Sequence, residues 1–242
     1  MKLELRVVFR QLGLLLAVLS VFTAATALFA GVQRVAGSAD DPAALPALLL
    51  SAVITAAVGG LLYVTGRRTS KMLGQREALL LVALSWLVAA ALAALPFRIW
   101  SAMRDVPDGS PHDFDTYVSC YFEAMSGFTT TGATVVQALD TLPDGLLLWR
   151  ALTHWLGGLG IVVLFVAVLP MLGGASRRVY RLEAPGPSPE GVKPRIQDTA
   201  RVLWLIYTGL TIAEVLALRL CGMGWFDATC HTFATLATGG FG

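Results

Sequence analysis

The chain has 242 residues, of which 56% are hydrophobic and only 14% charged, with a mean hydropathy of +0.69. Soluble domains carry roughly 25% charged residues, so the composition excludes an ordinary soluble domain and points to an integral membrane protein. A net charge of +2 gives no reason to expect a nucleic-acid partner, and Cys120, Cys221 and Cys230 form no CxxC pair or metal-ligand spacing. The three cysteines read as small apolar packing residues.

Five apolar blocks, at 12–30, 43–64, 78–99, 146–172 and 202–220, each approach or exceed the roughly 20 residues of a crossing helix. A cleavable leader is a poor reading of the first, because the run is long and no small-residue cleavage site follows it. Two shorter segments, at 114–127 and 225–236, follow the third and fifth blocks. Each is too short to cross and is a candidate re-entrant or interfacial helix.

Basic residues cluster on one side of this pattern. Lys2, Arg6 and Arg10 precede the first block, Arg67, Arg68, Lys71 and Arg76 follow the second, and Arg177, Arg178, Arg181, Lys193, Arg195 and Arg201 follow the fourth. Only Arg34, Arg98, Arg104, Arg150 and Arg219 fall on the other side, together with Asp40, Asp41, Asp105, Asp108, Asp113 and Asp115. The bias predicts five crossings with the N-terminus in the cytoplasm and both short segments dipping from outside.

Within this frame the run GFTTTGATVV at 127–136 stands apart. It has neither the period of a helix nor the alternation of a strand. A related string recurs: Thr131-Gly132-Ala133 after the first short segment and Thr238-Gly239-Gly240 after the second. The chain thus reads as a parallel repeat of helix, short helix with glycine-rich loop, and returning helix. It reaches Gly242 before the second returning helix, so the expectation is the N-terminal part of a longer protein. The divisions are a two-helix segment at 1–70, a first pore module at 71–182, a Pro- and Gly-rich cytoplasmic linker at 183–197, and the start of a second module at 198–242.

Non-helical backbone at membrane depth is tolerated only where it is buried in protein or lines a water-filled path. Backbone carbonyls turned into such a path can replace the hydration shell of a cation. The loop offers no thiol, imidazole or carboxylate, so its oxygen chemistry suits a hard alkali ion. Asp115 or Asp113 for the first short helix, and Asp227 for the second, are candidate N-caps. Each helix would then aim its partly negative C-terminus inward, a modest help of about 0.3–1 kcal/mol to a cation.

FEAMSGFTTTGATV (122–135), HWLGGLGIVVL (154–164), LWLIYTGLT (203–211) and FDATCHTFATLATGGF (226–241) resemble the membrane subunit of Trk-type bacterial potassium-uptake systems, the TrkH/KtrB family. The resemblance covers nearly the whole chain. It implies an all-α integral membrane protein of the bacterial inner membrane, built from repeated M1–P–M2 potassium-channel-like modules with re-entrant pore loops. Four such modules would surround one pore, each centring a filter strand on a glycine. Carried over, the glycines are Gly132 and Gly239. The implied potassium-lining carbonyls are those of Thr130, Thr131, Gly132 and Ala133 in the first strand and Leu236, Ala237, Thr238 and Gly239 in the second. Potassium is the transported ion, with no covalent cofactor, and the family's partners are a second copy of the subunit and a cytosolic nucleotide-binding ring of the TrkA type. The basic loops at 67–76 and 177–201 are the faces that ring would meet. The family's gating parts lie in its third and fourth modules. One departure is Phe241-Gly242, where many members read Phe-Ser, which puts side-chain bracing of the second strand in question.

Single residues carry further expectations. A carboxylate inside the membrane is expensive and functional by default; Glu123 is read as bracing the filter through backbone N–H groups. Glu214 is a proton-relay candidate set against pairing with a neighbouring helix or snorkelling. Arg150 is read as an outer anchor or an aspartate partner, His154 as an interfacial hydrogen-bonder, His231 as a packing and hydrogen-bonding residue, and Gly157, Gly158 and Gly160 as close-packing positions. Two rival functions remain: a cation-coupled symporter with broken helices, and an intramembrane hydrolase pairing Ser126 with His154 or His231. The hydrolase lacks a GxSxG elbow and leaves the repeated loop unexplained. With two filter strands and no closing helix, the chain alone is expected not to conduct.

Overall fold

The computed structural model describes residues 3–36, 41–68, 74–104, 112–172 and 196–241, with side chains described for these except at 75, 161–172 and 196–199. The described elements are α1 (Leu5–Val35), α2 (Ala44–Gly66), α3 (Gln75–Ala93), α4 (Leu95–Met103), α5 (Tyr117–Phe128), a 3-10 turn (Leu139–Thr141), α6 (Asp144–Leu172), α7 (Ile196–Leu220) and α8 (Trp225–Leu236). The linker at 183–195 lies outside the described residues.

Four of the described helical stretches, Leu5–Val35, Ala44–Gly66, Arg76–Met103 and Ala200–Leu220, are long and apolar enough to cross a membrane. A fifth long helix, α6, runs 29 residues. In contrast α5 and α8 have 12 residues each, about 18 Å at 1.5 Å per residue, against a hydrocarbon core of about 30 Å.

The leading pair, α1 and α2, packs where Gly13 meets Gly59. A Cβ on Gly13 would come within 2.6 Å of the Gly59 carbonyl oxygen, the close backbone approach that small residues permit between membrane helices. Buried hydroxyls in this pair stay satisfied within their own helices. Thr23 donates to Leu19 O at 2.9 Å, Thr26 to Phe22 O at 3.0 Å and Ser51 to Ala47 O at 2.7 Å.

The third apolar block is not one continuous helix. It breaks at Ala94, because Pro96 in the first turn of α4 has no N–H to continue the ladder. Carbonyls beside the break are taken up by α5 and α6: Tyr117 Oη donates to Ala91 O at 2.8 Å and Trp149 Nε1 to Ala93 O at 3.0 Å. The break thereby fastens α5 and α6 to α3. Phe97, Phe114, Leu146 and Trp149 fill the buried centre between them.

The helix α7 docks on α6. Trp155 Nε1 donates to Thr211 Oγ1 at 3.0 Å, and Tyr207 Oη donates to the Trp155 carbonyl at 3.2 Å. Most of the rest of α7 is exposed and apolar, including Leu205, Leu210, Ile212 and Leu216.

Candidate pore-loop site

Each short helix ends in the same way. After α5 the N–H of Thr130 bonds Gly127 O at 2.9 Å and that of Thr131 bonds Ser126 O at 2.9 Å. After α8 the N–H of Thr238 bonds Thr235 O at 2.8 Å and that of Gly239 bonds Ala234 O at 3.0 Å. Both are Schellman caps. Thr130 (φ 54°) and Thr238 (φ 60°) are the only non-glycine residues with positive φ among the described residues. A β-branched residue there is a genuine outlier, and such strain clusters at functional sites. Two residues further on, Gly132 (φ 75°) and Gly240 (φ 73°) again take the left-handed region that glycine accepts without penalty.

These landmarks fix the register of the repeat. Ser126 matches Ala234, Thr130 matches Thr238 and Gly132 matches Gly240, a step of 108 residues. The sequence string alone suggests 107, with Gly239 opposite Gly132. Gly239 is not among the positive-φ residues, and it corresponds instead to Thr131. Of the expected lining residues, Thr130, Thr131, Gly132 and Ala133 fall in the irregular stretch after α5, and Thr238 and Gly239 in that after α8. Leu236 still belongs to α8 and Ala237 is its C-cap in helical conformation.

The two loops meet. A Cβ on Gly132 would run into the carbonyl oxygen of Gly239, so that carbonyl is aimed at the first loop. Both loops start beside α6: a Cβ on Gly157 would strike the Phe128 carbonyl, and one on Gly158 would lie 3.2 Å from Ala237 Cα. Gly157 stands about 20 Å along a helix about 43 Å long at 1.5 Å per residue, close to its middle. Gly160 faces only the Trp86 ring at an ordinary 3.6 Å, so close packing calls for glycine at 157 and 158 but not at 160.

The first loop is held by Glu123, which is 1% exposed. Its carboxylate accepts Arg150 Nε at 2.6 Å, Thr134 Oγ1 at 2.9 Å and the backbone N–H of Val135 at 3.0 Å. A buried ion pair is tolerable when further hydrogen bonds satisfy the remaining lone pairs, and here they do. Asp113 adds a strut by accepting the N–H of Gln137 at 3.0 Å. The second loop is flanked by Phe241, which lies under the Arg150 guanidinium with Cζ 3.6 Å from the ring centroid and against the His154 ring at 3.8 Å between centroids.

A family model described as TrkH, cation transport protein, matches residues 44–242. The chain belongs to this family. It is 44% identical over 189 residues to the Trk system potassium uptake protein TrkH of Escherichia coli (strain K12), covering 78% of this chain and 37% of that protein. It is 41% identical over 240 residues to the TrkH of Vibrio parahaemolyticus (serotype O3:K6), covering 99% of this chain and 46% of that protein. The crystal structure of the potassium transporter TrkH from Vibrio parahaemolyticus superposes with a TM-score of 0.75 at 35% identity, over 96% of this chain and 42% of that one. The chain therefore spans less than half the length of these relatives, and it is a multi-pass, all-α membrane protein of the TrkH fold.

Several expectations need correction in this TrkH-type chain. Arg150 is not an outer anchor; it is 4% exposed and paired inward with Glu123. His154 is fully buried beside the backbone of Ser126, and neither ring nitrogen makes a hydrogen bond of standard geometry among the described residues. The Ser126 hydroxyl is also without one, so no Ser126–His154 pair is assembled. His231 is exposed rather than packed, and Glu214 is half-buried on α7 with no hydrogen bond or ion pair among the described residues. The α5 cap is Thr116, which accepts the Ser119 N–H at 3.2 Å, and α8 starts at Gly224 with no side-chain cap. Asp115 instead accepts Ser101 Oγ at 2.5 Å and the His112 N–H at 2.7 Å, and these bonds hold its carboxyl below the ordinary range. Cys120 packs in the core, whereas Cys221 is exposed.

Proposed function

We propose that this chain contributes two filter strands to a potassium-uptake pore in a bacterial inner membrane. The carrying observation is the pair of loops with one backbone conformation, set against each other beside the middle of α6. The lining oxygens are the carbonyls of Thr130, Thr131, Gly132 and Ala133, and in the register of the backbone those of Thr238, Gly239, Gly240 and Phe241. These four positions replace the assignment that begins at Leu236. Unpaired carbonyls facing an aqueous path supply the oxygen cage that a dehydrated alkali cation needs. The C-termini of α5 and α8 point into the loops and add a partly negative field.

The relatives are named as potassium uptake proteins and are more than twice as long as this chain, which supports two further filter strands elsewhere in the intact protein. On this reading residues 1–70 form a leading pair of helices, 71–182 the first M1–P–M2 module, 183–197 the linker and 198–242 the start of the second. Both loops re-enter from the outside, and the N-terminus lies in the cytoplasm with the basic loops, where a nucleotide-binding ring would dock on a homodimer. The activity is transport and not catalysis; coupling to protons or sodium is the alternative mode for the same pore. Growth rescue in limiting potassium tests the reading. The intact protein is expected to rescue a strain lacking its own uptake systems, and Gly132→Ser to abolish rescue at normal expression. Undiminished rescue by Gly132→Ser would remove the filter from the account.

A further inference from the structure

The two loops share a backbone but not a means of support. Stepping 108 residues from the first module puts His231 at the position of Glu123, Gly242 at that of Thr134 and Phe241 at that of Ala133. At these two positions the sequence supplies neither the carboxylate nor the hydroxyl that hold the first loop, and His231 is exposed. Two side chains of α6 reach the second loop. The His154 ring backs Gly239 so closely that a Cβ there would lie 2.5 Å from its Cε1. The Arg150 guanidinium covers the ring of Phe241, a residue only 5% exposed.

We propose that Arg150 is a positioning residue shared by both strands: its ion pair with Glu123 holds the first loop while its face holds Phe241 of the second, so one side chain sets their spacing and with it the ion preference. A guanidinium suits this task because it is planar and permanently charged. Its edge can donate to a carboxylate while its face lies on an aromatic ring. A lysine ammonium is a compact point charge and cannot make both contacts in this geometry. Phe241 therefore answers the question raised by the Phe-Gly ending of the second motif: the strand is braced, but by its own ring against the neighbouring module. His231, at the place of Glu123, takes no part.

The inference rests on the filter reading, so its test uses the intact protein in liposomes, with rubidium uptake measured against sodium competition. Arg150→Lys and Phe241→Leu are expected to lower the rubidium-over-sodium preference about tenfold each, the scale of one lost charge-assisted contact. Because both act on one contact, the double variant falls no further than the worse single one. His231→Ala, which touches neither strand, retains the preference. Wild-type preference in both Arg150→Lys and Phe241→Leu, or losses that multiply independently, would overturn the shared role. If Arg150→Lys does not assemble, Phe241→Leu decides alone, since it leaves the Glu123 ion pair in place: unchanged preference in Phe241→Leu overturns the proposal. Absence of rubidium preference in the unmodified protein would bring down the filter reading itself, an outcome distinct from retained preference in the variants.

Discussion

After α5 and after α8 the chain passes through the same cap, the same left-handed threonine and the same left-handed glycine two residues on. The first loop is then tied to its own module, through Glu123 to Thr134 and Val135 and through Asp113 to Gln137. The second leans on Arg150 and His154 of the other module. Their helices start differently too, α5 under the Thr116 cap and α8 at Gly224 without one. The contrast separates two things a repeat can preserve. The helix end dictates the backbone and is copied residue for residue; the side chains that support it depend on what faces each copy, and they diverge.

The largest expected effect breaks the likeness of the two glycines. Gly132→Ala meets both a positive φ and the Gly239 carbonyl, whereas a Cβ on Gly240 meets nothing within 4 Å among the described residues. Gly132→Ala should abolish rubidium uptake by the intact protein. Gly240→Ala should reduce it about tenfold, because only the left-handed penalty of about 1–2 kcal/mol applies. The reverse order would undo the register of 108. Next in size is support. Glu123→Gln leaves Arg150 buried without its counter-charge, a loss of about 3–5 kcal/mol, read as a lowered melting temperature of the intact protein in detergent. His231→Gln, at the matching position, should stay within about 0.5 kcal/mol of the unmodified protein; equal losses would contradict the asymmetry. Smallest are the caps. Thr116→Ala should cost about 1 kcal/mol, and Gly224→Ser, which adds a cap without a second charge beside Asp227, should add a few tenths, both checked in the same melts.

Much of this was legible in the sequence. Apolar length marked the five long helical segments, and the two short segments became α5 and α8 within a few residues. What escaped has physical causes. The apolar run at 78–99 hid a break, because hydropathy does not register the N–H missing from Pro96. The matching Thr-Gly strings set the repeat one residue out, since the register is fixed by the hydrogen bonds of the helix ends and not by the most similar letters. Counting charges by side put Arg150 at the surface. A lone arginine within an apolar block demands a buried partner, and Glu123, the one carboxylate of α5, was the signal available. Glu123 itself read correctly, because a membrane carboxylate near exposed backbone has few uses other than holding it.

Rubidium-soaked crystals of the intact protein, measured at the rubidium absorption edge, test the central claim most directly. An anomalous peak is expected between the two loops, in contact with backbone carbonyl oxygens from 130–133 and from 238–241. Rubidium held only by side-chain carboxylates, or no rubidium between the loops in a protein that still takes it up, would contradict it.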